Sequence, residues 1–294
     1  MNDIFYLKTG YIRNACKFVG LTDDQTSAVL VSQRAALKDE KLVELSLNWV
    51  KDIFTPDDIF EEVELADWTI PKSAPLLPLI VLFSGLDDIR QFYADNDLSE
   101  NELITLLYDV NRNLNECIAR NGSYIIEDFV FKWLIKHFTA RLFQFGRLQY
   151  EVLHFYDDCG VLNKGDPVIN VHIPSGGRMP YEDVRISYKT AVDFFEKFIP
   201  DVQFKGLICE SWMLSPQLND LLDGSSNIIR FLCDYQIFRT DDDEGFYANV
   251  FIKKPEDLQL LSEESSLQRA IKAYLLSGGK LLSGRGFIPV EYIK

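Results

Sequence analysis

Two ionisable side chains stand out because each lies on a run that reads as a β-strand. His172 alternates with Val171 and Ile173 in the segment from Val168 to Ile173, so it faces away from both. An imidazole there can exchange protons near neutral pH, or it can be a satisfied histidine on a solvated or helix-covered face. Glu210 falls in the run from Gly206 to Leu214 and shares a strand face with Ile208, Trp212 and Leu214. A carboxylate with such neighbours loses hydration, which raises its pKa and makes it a candidate general base; a solvated place at the sheet end is the alternative. Cys209 shares its own face with Leu207 and Met213, which favours an inert buried thiol over a nucleophile. Ser211 and Trp212 shape a cleft or fill the core.

A third feature concerns anions. The strand ending at Ile173 passes through Pro174-Ser175-Gly176-Gly177-Arg178-Met179-Pro180 into a helix with Val184, Tyr188, Ala191, Phe195 and Phe198 on one stripe. Such a loop turns backbone N–H groups and a positive helix end toward the carboxyl edge of a strand, a place that suits a phosphate. Arg178 would add a charge-assisted hydrogen bond. The same residues also serve if Gly176-Gly177 simply turns the chain and Pro180 starts the helix. The loop matches neither GxGxxG nor GxxxxGK[ST].

These groups need a scaffold, and its period changes along the chain. The front is helical. Thr22 and Gln25 form a capping-box pattern ahead of Ala28, Val29, Leu30 and Ala36. Leu42, Leu45, Trp49 and Phe54 keep helical spacing, and Thr55-Pro56 reads as the cap of another helix. Ser99 with Glu102 opens a helix running through Leu103, Val110, Leu114 and Ile118 to Asn121-Gly122. A further helix through Phe129, Trp133, Phe138 and Leu142 ends near Gly146. Beyond it, Leu148, Tyr150 and Val152 alternate with Gln149 and Glu151 as a half-buried strand. Short helices follow at Ser215-Pro216 and from Asn227 to Tyr235. Strands at Gln236–Thr240 and Phe246–Ile252 form a hairpin around the acidic tip Asp241 to Glu244, and a helix from Leu267 to Leu276 precedes a glycine-rich connection and a final strand. The order β-β-α-β-α-β-β satisfies an α+β arrangement of one mixed sheet with flanking helices.

Composition bounds the function. The chain has 294 residues, 47% hydrophobic and 26% charged, enough for two domains with ordinary cores. A net charge of -15 argues against a nucleic-acid footprint or an anionic membrane surface. The apolar run Ala74 to Leu86 is too short to span a bilayer, and Met1 to Gly20 does not read as a signal peptide. Five scattered cysteines read as free thiols of a reducing compartment, so a cytoplasmic protein is expected. No spacing among Cys and His suggests a metal. The acidic tip lacks the alternation of a calcium loop, and no GxSxG elbow supports a serine hydrolase.

The order of elements from Leu148 onward resembles the later part of the GNAT acyltransferase fold, where a strand-loop-helix unit holds the pyrophosphate of acyl-coenzyme A. More closely, Val171 to Gly177, the run CESWMLSPQLNDLL over 209–222 and SSNIIRF over 225–231 resemble a bacterial family of acyltransferases. That family pairs an all-helical N-acyltransferase N-terminal domain with a GNAT-like C-terminal domain, and the resemblance covers most of the chain. It implies a helical domain over 1–125 and a GNAT-like α/β domain over 126–294. It also implies acyl-CoA as co-substrate and a small-molecule acceptor, of amine type and unknown identity, selected by the helical half. Ser175, Gly176, Gly177, Arg178 and Tyr181 would bind the cofactor. Glu210 or His172 would serve as base. Asn227 and Tyr235 stand at the spacing at which GNAT enzymes place an asparagine and a general-acid tyrosine, and Asn227, Ser211 and Trp212 would line the substrate cleft. The loop departs from the usual [QR]xxGx[GA] rhythm, which offers fewer N–H groups to a pyrophosphate. A non-catalytic ligand-binding or partner-binding module on a degenerate GNAT-like scaffold is therefore the alternative.

Overall fold

The fold comes from a computed structural model, which describes residues 4–56, 58–251 and 253–293. The chain divides into two compact units, Met1–Gln144 and Phe145–Lys294. The front unit contains helices α1 (Thr9–Phe18), α2 (Asp23–Ala36), α3 (Glu40–Phe54), α4 (Leu77–Phe83), α5 (Leu86–Asp95), α6 (Glu100–Leu107), α7 (Asp109–Asn121) and α8 (Asp128–Phe138). Both expected capping boxes are present: Thr22 and Gln25 exchange side-chain-to-backbone bonds at α2, and Ser99 and Glu102 do so at α6. Each satisfies two N–H groups that the helix itself leaves open. The single helix expected from Ser99 to Asn121 is divided at Tyr108 and stops at Gly122, whose φ of 69° gives the left-handed cap.

The core of this unit is α4. All seven of its residues are buried, and it packs against α1, α2, α3 and α8. A helix apolar on every side has no face for water. No helix begins at Pro56 among the described residues, where the chain stays irregular to Leu76 (Asp57 lies outside them). Arg141 accounts for this. Its guanidinium donates to the carbonyls of Pro56 at 3.0 Å, Asp58 at 2.9 Å and Glu61 at 3.2 Å, oxygens that a helix would have used itself. The helix expected to reach Gly146 ends at Phe138. Because α8 packs on α4 and α7, it belongs to the front unit, whereas the expected boundary at 125/126 assigned it to the rear.

The rear unit is built on a six-stranded sheet of order β1-β2-β3-β4-β6-β5. The strands are β1 (Phe143–Phe145), β2 (Leu148–His154), β3 (Pro167–His172), β4 (Gly206–Ser211), β5 (Gln236–Asp241) and β6 (Ser283–Pro289). Helices α9 (Tyr181–Phe198), α10 (Leu218–Leu221), α11 (Asn227–Cys233), α12 (Phe246–Phe251) and α13 (Ser266–Leu276) connect them. β2 and β3 are antiparallel, β3 and β4 parallel, and β6 runs antiparallel to both β4 and β5.

Four expectations change here. β2 is buried on both faces over most of its length, with Gln149 1% and Glu151 8% exposed. β4 ends at Ser211, because the Ser211 hydroxyl accepts from Met213 N–H and turns Trp212–Leu214 into a 3-10 helix. Phe246–Phe251 is helix α12, not a strand (Ile252 lies outside the described residues), and β5 pairs with β6 instead. The Asp243 carboxylate accepts from Gly245 N–H and so starts the turn into α12. Finally, Gly284 and Gly286 lie inside β6, not in a loose connection before it. A Cβ at Gly284 would stand 2.1 Å from the Leu214 carbonyl oxygen, and one at Gly286 would stand 2.7 Å from Tyr235 Cβ. Those glycines admit close neighbours.

Among the described residues, no helix is long and apolar enough to cross a membrane.

Candidate active site

The parallel ladder between β3 and β4 covers only Ile169 and Asn170 against Leu207 and Ile208. β3 nevertheless runs on to His172 and β4 to Ser211. Beyond the paired residues the ladder is not continued toward the shared carboxyl ends of the two strands, among the described residues. The loop from Pro174 to Pro180 and the first turn of α9 follow directly from β3.

That loop is held by a residue that gave no signal in the sequence. Arg147 Nη2 donates to the carbonyls of both Pro174 and Gly176. In a trans peptide the N–H points opposite the carbonyl, so this grip turns the N–H groups of Ser175 and Gly177 away from Arg147. Gly176 and Gly177 have φ of 78° and 75°, a backbone form that strains any residue with a Cβ. Ser175 to Arg178 are exposed. α9 opens without a side-chain cap at Pro180, which leaves its first N–H groups to another partner. Glu182 and Asp183 lie in that turn, and Glu182 is paired with Arg230 at 2.8 Å. Tyr181 is fixed by packing: its hydroxyl donates to Asp234 at 2.6 Å, and Arg230 sits 3.9 Å over its ring.

Register and alternation sort the polar candidates onto two faces of the sheet. Tyr150 pairs with Val171, and its hydroxyl meets Ser187 of α9 at 2.6 Å, so this face looks toward α9. Cys209 lies on it too. Tyr188 donates to the Tyr235 hydroxyl at 3.1 Å, and burial is the main reason Tyr235 titrates well above an ordinary tyrosine. Burial likewise pushes the Cys209 thiol up to about 12. This face is neutral and closed, and Cys209 is the inert thiol expected.

The opposite face carries Glu151, Asn170, His172 and Glu210. His172 Nε2 lies 2.8 Å from Glu151 Oε1, and Asn170 Nδ2 donates to the same oxygen at 3.0 Å. Glu210 is exposed and bound to the Arg285 guanidinium, with Oε2 3.1 Å from Nε and Oε1 3.2 Å from Nη2. It therefore lacks the apolar surroundings expected of it, because β4 ends before Trp212 and Leu214 can flank it. Arg285 also reaches Asp241 at 3.1 Å.

His172 and Glu210 thus share a face, and Tyr235 lies on the other. Ser211 caps the turn after β4, and Trp212 is buried in that turn. Asn227 is exposed at the first position of α11 and Tyr235 follows its last turn, so the two occupy opposite ends of that helix. Among the described residues, no three His, Cys, Asp or Glu side chains are grouped as a metal site requires.

Comparison with known proteins matches both halves of the chain. Residues 11–140 match the N-acyltransferase N-terminal domain, and residues 142–288 match the GNAT-like C-terminal domain. No curated protein sequence matches the chain. Among solved structures, an acyltransferase mutant in complex with octanoyl-CoA is 20% identical with a TM-score of 0.79, covering 94% of this chain and 87% of that one. An acyltransferase in complex with decanoyl-CoA is 19% identical with a TM-score of 0.70, covering 95% of this chain and 99% of that one. A third, in complex with decanoyl-CoA and teicoplanin, is 20% identical with a TM-score of 0.73, covering 94% and 87%. At these identities the likeness is one of fold.

Proposed function

We propose that this chain, which belongs to the family joining an N-acyltransferase N-terminal domain to a GNAT-like C-terminal domain, moves an acyl group from acyl-CoA to an amine on a small molecule. The observation that carries the reading is the short β3–β4 ladder, which ends at Asn170 and Ile208 beside a glycine loop and an uncapped helix. Strand edges that part in this way can pair with the amides of a pantetheine arm, as an extended peptide adds to a sheet edge. The pyrophosphate would take the Gly177 N–H and the first turn of α9, with Arg178 in reach. The thioester would then lie between the carboxyl ends of β3 and β4, with His172 on one side of the sheet and Tyr235 on the other.

In this arrangement the amine nitrogen attacks the thioester carbonyl, and the C–N bond forms as the C–S bond breaks. The nitrogen's proton passes to a base, and the departing thiolate takes one from an acid. His172 is the better base, since Glu210 is committed to Arg285. Tyr235 is the acid. It accepts from Tyr188, its own hydroxyl faces the Cys209 thiol, and burial keeps it protonated. The solved relatives hold octanoyl-CoA and decanoyl-CoA, which supports a medium-chain donor, and one holds teicoplanin, which supports a small-molecule acceptor. A CoA thioester donor also fits a cytoplasmic site of action.

The second reading, a binding module without catalysis, draws on Glu182 and Asp183, which weaken the attraction of α9 for an anion. A thermal-shift titration with decanoyl-, octanoyl- and acetyl-CoA and free CoA decides between CoA binding and none. A ligand at 100 times its Kd stabilises the fold by about 2.7 kcal/mol. Arg178→Ala, which spares the backbone form of the glycines, should weaken the shift at a given ligand concentration while leaving the unliganded melting point nearly unchanged. A folded wild type that shows no shift with any of the four ligands removes the acyl-transfer reading.

A further inference from the structure

We propose that the cleft between α5 and α6 binds a small primary amine that also carries an oxygen, an amino alcohol in the simplest case. Every residue of this site belongs to the helical unit, and the proposal stands whether or not the chain transfers acyl groups.

The cleft has a volume of about 410 Å³, within the range of roughly 300–1,000 Å³ that small-molecule sites occupy. Tyr93, Leu98 and Leu103 form its sheltered wall, and the exposed Asp87, Arg90 and Glu100 form its rim. The residue that points to a ligand is Tyr93. It is 2% exposed, yet its hydroxyl has no hydrogen-bond partner among the described residues. A buried phenol normally finds one. The oxygen is not sealed in the core, so the little surface that Tyr93 keeps includes it and opens on the cleft. Burial, with Glu102 acting in the same direction, holds this hydroxyl above the ordinary tyrosine range. It therefore keeps its proton and can donate it to a ligand oxygen.

The rim selects for positive charge. Arg90 is held 4.9 Å over the Phe18 ring, and its bonds from Nε at 3.0 Å and Nη2 at 2.6 Å both go to Glu100 Oε1. Asp87 Oδ1 lies 3.8 Å from Nη1, beyond hydrogen-bond distance. Two carboxylates thus surround one guanidinium, and negative charge is in excess. Glu100 Oε2 and the Asp87 carboxylate remain able to accept from an ammonium, while Arg90 is already matched and offers an anion little. An ammonium at the rim, an apolar stem along Leu98 and Leu103 and an oxygen at Tyr93 satisfy the three zones together.

The test needs no CoA. The full ¹⁵N-labelled chain is titrated with aminobutanol, aminohexanol and aminooctanol, each beside the alkylamine and the diol of the same length. Saturable shifts should appear at the amides of α5 and α6. At the best length the amino alcohol should bind about fivefold more tightly than the alkylamine, the worth of one hydrogen bond, and the diol should bind more weakly than the amino alcohol. Tyr93→Phe should erase the preference for the amino alcohol and leave the Kd of the alkylamine unchanged. The double variant Asp87→Asn, Glu100→Gln should weaken both amines alike, as should added salt. A diol that binds as tightly as the amino alcohol, a Tyr93→Phe protein that keeps the preference, or no saturable shift at α5 and α6 with any amine overturns the proposal. If Tyr93→Phe loses the native spectrum, the wild-type comparison of amino alcohol, alkylamine and diol decides alone.

Discussion

The two faces of the rear sheet solve opposite problems with the same strands. Toward α9, Tyr150, Cys209, Tyr188 and Tyr235 are buried, with Tyr150 bonded to Ser187 and Tyr188 to Tyr235. On the other side, Glu151 and His172 share a hydrogen bond, and Arg285 forms ion pairs with Glu210 and Asp241. Alternation along a strand brings a closed face and a charged face within one residue of each other. Groups separated by a single peptide, such as Cys209 and Glu210, consequently have little chemistry in common.

That contrast can be tested first through reactivity. The Cys209 thiol, pushed from 9.0 to about 12 by burial, holds about 1000-fold less thiolate than an ordinary thiol at equal pH. Alkylation of folded protein at pH 8 should modify exposed Cys233 and leave Cys209 untouched, as read by peptide mass spectrometry. Rapid labelling of Cys209 would mean that the closed face opens readily.

A second prediction joins the faces through β6, which carries Arg285 outward and Gly286 against Tyr235. Gly284→Ala places a Cβ 2.1 Å from the Leu214 carbonyl oxygen, so β6 must shift. Urea unfolding should show a loss of about 3 kcal/mol.

A third concerns Asp234, which lies near Arg185 at the end of α11 and is raised above 3.8, chiefly by burial, against the lowering effects of Tyr181, Arg185 and Arg230. A carboxyl whose folded pKa is raised contributes stability below its unfolded pKa and loses it as pH climbs through the folded value. Asp234→Asn cannot ionise and escapes that loss. Its stability relative to wild type should therefore increase between pH 3 and pH 7, and a flat difference would contradict the shift.

The smallest effect is expected on the open face. Glu210→Gln removes one exposed partner of Arg285 while Asp241 remains, and should change stability by less than about 0.5 kcal/mol.

The sequence made some elements plain because their signals are local. Thr22 with Gln25 and Ser99 with Glu102 announce helix starts through contacts three residues apart, and both are found. Ser265 with Gln268 carries the same signature at α13 and could have been read the same way. Phe246–Phe251 could not, since a short apolar run after an acidic turn suits a strand or a helix equally. The glycines of β6 misled for a related reason: what crowds them is Leu214 and Tyr235, distant in sequence. Of the groups around the proposed site, His172 and Tyr235 are nameable from the chain, whereas Arg147 and Glu151 make contacts across loops and strand pairings that no spacing displays.

The placement of β6 between β4 and β5 also governs how the rear unit can assemble. Glu210 meets Arg285 across 75 positions of chain, and β5 joins the sheet at its edge through β6. Every helix between β4 and β6 must be tolerated in a closed loop before that edge of the sheet exists. Long-range pairing of this kind slows folding, because chain entropy is lost before the contacts that compensate for it are made. The front unit, where α2, α3 and α6 start from side-chain caps, depends less on such pairing. Refolding followed by fluorescence should resolve into a fast helical phase and a slower one that reports the arrival of β6.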